Sequence, residues 1–321
     1  MHPHFIDLHC DTLLLMQQEN RTLNNAPGHI NLEKLFKSGA LLQCFAAFIP
    51  SQQTAERYGI TESGWEYFLR LAALFQTETE KYPDKLLPVR TMADIERNRE
   101  RGLVSAMLTV EDGACIEGDL NRLRHMYALG VRLVTLTWNY ENCIGFPNSP
   151  DPDLHRKGLK KFGFETLAEM EKLGMIVDVS HLSEGGFWDV VRESKKPFVA
   201  SHSCARALCD HNRNLTDEQL RTLGDRGGIC GVNFYSRFLR RDAEYTENAD
   251  ILRHMDYIAD HAGIEAVALG SDFDGIDCTL EMGDYGGMSN LEELIADRFG
   301  SSAAEKICHD NVLRVMAEVI G

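Results

Sequence analysis

Eight short apolar runs, set between segments of helical spacing, constrain this chain more than any other feature. They fall at Phe5–Leu8, Leu41–Phe48, Val104–Val110, Arg132–Thr137, Met175–Ser180, Pro197–Ser201, Ile229–Phe234 and Ala266–Gly270. Several are near-continuous in apolar and β-branched residues, the pattern of parallel strands buried on both faces. Helical patterns lie between them, among them Asp119–Leu129, Phe164–Leu173, Asp217–Leu223, Ile251–His261 and Leu291–Phe299. Thr216-Asp-Glu-Gln219 and Ser302-Ala-Ala-Glu305 have the form of capping boxes. Gly130 and Gly174 stand where helix-terminating glycines would. Eight strands alternating with helices predict an α/β fold closed into a (β/α)8 barrel, the TIM-barrel architecture. A doubly wound open sheet fits less well, since no Gly-x-Gly-x-x-Gly follows the first run. At 321 residues the chain suits one such barrel, ordinarily ~250 residues, with insertions, so residues 1–321 are expected to form a single domain.

In such barrels the reactive groups gather at the C-terminal ends of the strands. Here the first run ends in His9-Cys10-Asp11, the third in Glu111-Asp112, the fifth in His181, the sixth in His202 and the eighth in Asp272-Phe273-Asp274. Five of eight strand ends thus bring a metal-capable or acid–base side chain to one rim. His9 and Asp11 are two apart on an extended segment, so they share a face while Cys10 points away. Glu111 has two oxygens and can bridge a pair of cations. Nitrogen and carboxylate ligands without a thiolate predict two divalent metal ions, with zinc as the metal.

Composition narrows the partners. The formal charge of −16 opposes binding to nucleic acid or to an anionic membrane surface. The N-terminus lacks the basic and apolar regions of a leader, and no apolar run approaches the ~18 residues of a membrane span. The nine cysteines form no Cys-x-x-Cys pair and read as reduced thiols of a cytoplasmic protein. A small-molecule substrate is expected, and a homodimer is a possible assembly.

The order of motifs resembles the renal or membrane dipeptidase family, peptidase family M19, among the amidohydrolase-like barrels. The likeness runs through Asp-Leu-His9-Cys-Asp11-Thr, Val-Glu111-Asp-Gly, Asp-Val-Ser-His181, Ser-His202-Ser, Arg213-Asn214, Val-Asn-Phe-Tyr235, Gly-Ser-Asp272-Phe-Asp274-Gly and Asp310-Asn311-Val-Leu-Arg-Val. It implies a two-metal dipeptidase that often accepts a D-residue at the C-terminal position. By that resemblance His9, Asp11 and Glu111 hold one zinc, and Glu111, His181 and His202 the other. Asp272 is then the acid–base residue, with Asp274 its competitor two positions on. Arg213 meets the substrate's terminal carboxylate, with Tyr235 nearby.

One position departs from the family pattern. A histidine commonly stands at the end of the fourth strand, where this chain has Trp138. An indole N–H donates a hydrogen bond but carries no charge. Asn139 or Asn142 are the candidates to supply the missing contact. The departure keeps a second reading open, another metal-dependent hydrolase of the same barrel class such as an N-acyl amino acid deacylase or a lactonase. A degenerate, merely binding member is disfavoured because every implied ligand is present.

Overall fold

The computed structural model describes residues 5–321. Residues 1–4, on which part of the reading of the N-terminus rests, lie outside the described residues. The strands are β1 (Phe5–Asp7), β2 (Ala40–Phe48), β3 (Leu86–Pro88), β4 (Val104–Glu111), β5 (Leu133–Thr135), β6 (Ile176–Asp178), β7 (Val199–Ser203), β8 (Ile229–Val232), β9 (Tyr245–Thr246), β10 (Val267–Leu269) and β11 (Thr279–Leu280). Eight of them form a closed parallel ring in the order β1, β2, β4, β5, β6, β7, β8, β10 and back to β1. This is the (β/α)8 barrel.

The eight expected runs all contribute to the ring, with shifted ends. The fourth shrinks to Leu133–Thr135, and the sixth moves on to Val199–Ser203. Strand β3 corresponds to none of the eight expected runs. That strand pairs with Val104–Ala106 of β4, whereas β5 pairs with Thr109–Glu111, so β3 occupies the stretch of β4 that β5 does not reach. Strands β9 and β11 make a separate two-stranded sheet.

The register decides which side chains fill the ring, because partners on neighbouring strands share a face. Ile6, Leu42, Met107, Leu133, Ile176, Val199, Ile229 and Ala268, one from each ring strand, join a single buried cluster. The C-terminal helix Asn311–Val319 adds Val312, Val315, Met316 and Val319 to it. Burying such a side chain is worth about 1.5–3 kcal/mol. The helix is anchored by Asn311, whose amide donates to the carbonyls of Ile264 and Val267, just before and at the start of β10, at 2.8 Å each. It therefore covers the N-terminal ends of the strands. The C-terminal ends are left as the mouth.

Local signals behave as their chemistry requires, with one exception. Gly130 and Gly174 end their helices at φ 107° and 75°, where a Cβ is disfavoured. Thr216 and Gln219 form the reciprocal capping box. The box expected at Ser302–Glu305 does not form. Gly300, at φ 86°, ends the preceding helix and starts the next at Ser301, so Ser302 already lies inside the first turn. The longest helix, Gly64–Lys81, starts from a box of Ser63 and Glu66. All nine cysteines are free and seven are buried.

Candidate active site

The polar strand ends converge at the mouth. His9 is 1% exposed, and its Nε2 lies 3.5 Å from Asp11 Oδ2, 3.6 Å from Glu111 Oε2 and 3.9 Å from Asp272 Oδ1. The other oxygen of Glu111 turns the opposite way. Its Oε1 is 3.0 Å from His181 Nε2 and 3.4 Å from His202 Nε2. Glu111 thus offers one oxygen to each of two groups of ligands. It does so from the last residue of β4, whose long pairing with β2 fixes it.

Hydrogen bonds set the tautomers of two histidines. His202 Nδ1 lies 2.7 Å from Ser201 Oγ, and that hydroxyl gives its single proton to Asp178 Oδ2 at 2.5 Å. Ser201 Oγ therefore accepts from His202 Nδ1–H. Asp178 is held in turn by Thr135 Oγ1 and by the N–H groups of Ser180 and Ser201. His181 Nδ1 lies 3.0 Å from Asn139 Oδ1, a carbonyl oxygen that only accepts. Both rings then turn an unprotonated Nε2 toward the centre, with the two Nε2 atoms 3.0 Å apart.

Two lone pairs facing each other beside a carboxylate repel unless a cation lies between them. His9 Nδ1 and Nε2 and Asp11 Oδ1 are also buried without a hydrogen-bond partner. Leaving such groups unsatisfied costs roughly 1–3 kcal/mol each. Donor type, burial and orphaned atoms all fit divalent metal. No thiolate joins them, since the neighbouring Cys10 thiol donates to the Cys44 carbonyl.

The electrostatics of the protein alone agree. Burial pushes Glu111 up to about 7, with Asp11 and Asp272 adding to the rise and His9 opposing it. Burial pushes Asp272 up to about 6, opposed chiefly by His9. Burial disfavours charge on His9, but Glu111 and Asp11 beside it more than reverse that. Burial, with Arg213 and His9, holds His181 and His202 well below the usual range.

Backbone strain gathers here too. Seven non-glycine residues have positive φ among those described, and four of them are Asp112, His181, Asp272 and Asp274. Each such position costs on the order of 1–3 kcal/mol and clusters at functional sites. The left-handed turn at Asp272 also ends the extended run, so the two aspartates meet different partners. Asp272 accepts from Asn233 Nδ2 at 2.8 Å and lines the cavity beside His9. Asp274 accepts from Thr12 Oγ1 at 2.7 Å and from the N–H of His29, and so clamps the segment before Ile30 onto the barrel.

A cavity of about 410 Å³ opens above the cluster. Asp11, Glu111, His181 and Asp272 form its floor. Phe48, Tyr58, Trp138, Tyr235 and Phe238 form aromatic walls. Trp138 stands edge-on to Phe48 at 4.7 Å. Asn139 lines the cavity while orienting His181. Asn142 is spent on Asp112 and the Leu136 carbonyl. Arg213 lies behind His202, not on the cavity wall. Its guanidinium donates to the His202 carbonyl at 3.0 Å and toward Ser203 Oγ at 3.4 Å, and its Nε has no partner.

The sequence profile of the family described as membrane dipeptidase, peptidase family M19, matches residues 1–320. The chain belongs to peptidase family M19. It is a metallo-dipeptidase, a hydrolase acting on peptide bonds. Among the described residues no helix of this M19 peptidase is long and apolar enough to cross a membrane. It is similar to dipeptidase aclJ of Aspergillus oryzae, 30% identical over 91% of this chain and 70% of the relative. A protein of Klebsiella pneumoniae described by its place in the pqqA 5′ region is 40% identical over 71% of this chain and 86% of its own. Among solved structures, an M19 metallopeptidase named dipeptidase AC superposes with a TM-score of 0.89 at 29% identity, covering all of both chains. A metallopeptidase of Rhodobacter sphaeroides, bound to a phosphinate mimic of L-Ala-D-Ala, gives 0.89 at 27% identity over 99% of this chain and 100% of that one.

Part of this M19 site carries no signal in the sequence. Asp178 and Ser201 lie inside apolar runs, and only their contact with His202 gives them meaning. Tyr58, Phe48 and Phe238 carry no motif. Phe48 reaches the cavity as the last residue of β2, and Tyr58 and Phe238 from the short helical turns that follow β2 and β8.

Proposed function

We propose that this M19 peptidase holds two zinc ions and cleaves dipeptides, including those with a D-residue at the C-terminal position. His9, Asp11 and Glu111 would hold one ion, and Glu111, His181 and His202 the other. The observation that carries the reading is Glu111, with one oxygen turned to each set of nitrogen and carboxylate donors. Zinc suits that donor chemistry. When bound, such cations make water acidic enough, with a pKa roughly 7, to attack at neutral pH and draw charge from a carbonyl.

The chain's own groups handle the proton and the substrate. Asp272, raised to about 6, is poised to take a proton and return it to the leaving amine near neutral pH. From behind His202, Arg213 would supply the positive field for the substrate's terminal carboxylate, while Tyr235 stands on the cavity wall itself. The Rhodobacter sphaeroides neighbour with its L-Ala-D-Ala mimic supports the stereochemistry. The free cysteines favour the reducing cytoplasm, and one ring with one site favours a single catalytic domain.

A stereochemically complete dipeptide panel tests the substrate class, run beside N-acyl amino acids and lactones. Dipeptides with either configuration at the C-terminal residue are expected to turn over. Cleavage of L,L-dipeptides alone would refute the stereochemical part. Preference for N-acyl amino acids or lactones would refute the substrate class.

A further inference from the structure

Adding water to a peptide carbonyl places negative charge on its oxygen, and a neutral donor aimed at that oxygen stabilises the transition state. The side chains at the base of this cavity are mostly acceptors, namely Asp11, Glu111 and Asp272. Arg213 does not line it. The donors that do are Gln18, Tyr58, Trp138, Asn139 and Tyr235. Three of these are poorly suited. Asn139 orients His181, Tyr235 lies under the influence of Asp277 and Arg237, and Gln18 is exposed on the rim.

We propose that the Tyr58 hydroxyl is a catalytic hydrogen-bond donor to the carbonyl oxygen of the scissile bond. Tyr58 ends the short turn Ala55–Tyr58, which Gly59 closes at φ 67°. The turn brings its ring edge-on to Phe48 at 5.4 Å, in the aromatic wall that also holds Trp138. Among the described residues its hydroxyl has no hydrogen-bond partner, and it is half-buried. The charges of Asp11 and Glu111 act on this phenol, whereas Tyr235 feels Asp277 and Arg237. Tyr58 lines the same cavity as Asp11, Glu111, His181 and Asp272, with its hydroxyl uncommitted.

The hydroxyl keeps its proton throughout. The bond from water oxygen to carbonyl carbon forms, and the carbonyl oxygen gains charge under the Tyr58 O–H. The C–N bond then breaks, and the amine leaves with the proton that the water gave up. The inference rests on the peptidase activity and not on the number or identity of the metals.

Tyr58→Phe keeps the ring contact and removes only the hydroxyl. Its kcat on a cleaved dipeptide is expected to fall on the order of 10²–10³-fold with little change in KM. Affinity for a phosphinate dipeptide analogue should fall by the same factor as kcat/KM, with metal content and melting temperature unchanged. Near-normal kcat in Tyr58→Phe, or undiminished affinity for the analogue, would overturn the proposal. So would a loss of metal, which would make Tyr58 part of the metal site. Trp138→Phe is the companion variant, and a large loss there with Tyr58→Phe unimpaired would move the role to the indole.

Discussion

Asp272 and Asp274 stand two residues apart on one loop, both with left-handed backbones, and their partners separate them. Asp272 keeps an oxygen near His9 and a carboxyl pushed up to about 6 by burial. Asp274 is committed to Thr12 and the His29 backbone. Asp272→Asn retains the shape and an accepting oxygen but cannot shuttle a proton. Its kcat should fall about 10²-fold or more with metal retained and KM little changed, as steady-state kinetics and elemental analysis would show. Loss of metal would make Asp272 a necessary ligand instead. Glu111 differs from the histidines in the same kind of test. Glu111→Gln should deplete both metal positions, and His202→Ala chiefly one. Equal metal content in the two variants would contradict the bridging role. At this scale the sequence was legible wherever a residue type announces its chemistry. Ser201 was not, because its work is to accept from one ring and donate to one carboxylate. That pairing exists only once β6 and β7 lie side by side.

Elements carry a different kind of test. The helix Asn248–Ala262 presents His254, fully buried, to the loop after β7 and to Leu239. Its Nδ1 accepts from the N–H of Ala205 at 3.1 Å, so Nε2 carries the proton toward the Leu239 carbonyl at 2.9 Å. Burial pushes the imidazole down to about 4. An unfolded chain takes up the proton near the ordinary value of roughly 6.5. The stability that neutral His254 contributes is thus full above that value and is lost as pH falls toward 4, on the order of 3 kcal/mol. Urea midpoints of the wild type and His254→Gln should differ more at pH 7.5 than at pH 5, and a constant gap would contradict this. A second element-scale test lies at Gly28. A Cβ there would stand 2.1 Å from Asp274 Oδ1 and 2.5 Å from Leu15 Cδ2. Gly28→Ala should therefore cost roughly 1–3 kcal/mol, read as a lowered melting temperature. The strands were legible because burial on both faces writes continuous apolar runs. Their ends were not, because the turns at His181 and Asp272 depend on backbone strain rather than composition. Nor was β3, whose Leu86-Leu87-Pro88 is too short to stand out.

The whole molecule is a barrel covered below by its C-terminal helix and open above to a metal-binding floor. That arrangement explains how a chain of formal charge −16 can act on a substrate bearing a carboxylate. On the proposed reading, two divalent cations and the buried Arg213 would reverse the sign of the field where it matters. It also explains why so much of the candidate site could be read from five strand ends. A parallel barrel sends every strand's C-terminus to the same rim, so sequence position translates into spatial proximity without knowledge of the packing. Tyr58 and Phe238 escaped that rule because they lie beyond the strand ends, on short helical turns whose paths the strand pattern does not set. The central claim is that two cations on the shared Glu111 make the active centre. Titrating chelator-treated protein with zinc while following dipeptide hydrolysis tests it most directly. The account predicts that activity rises until two zinc ions are bound per chain and then levels off. Full activity at one zinc per chain, or hydrolysis that survives complete metal removal, would contradict it.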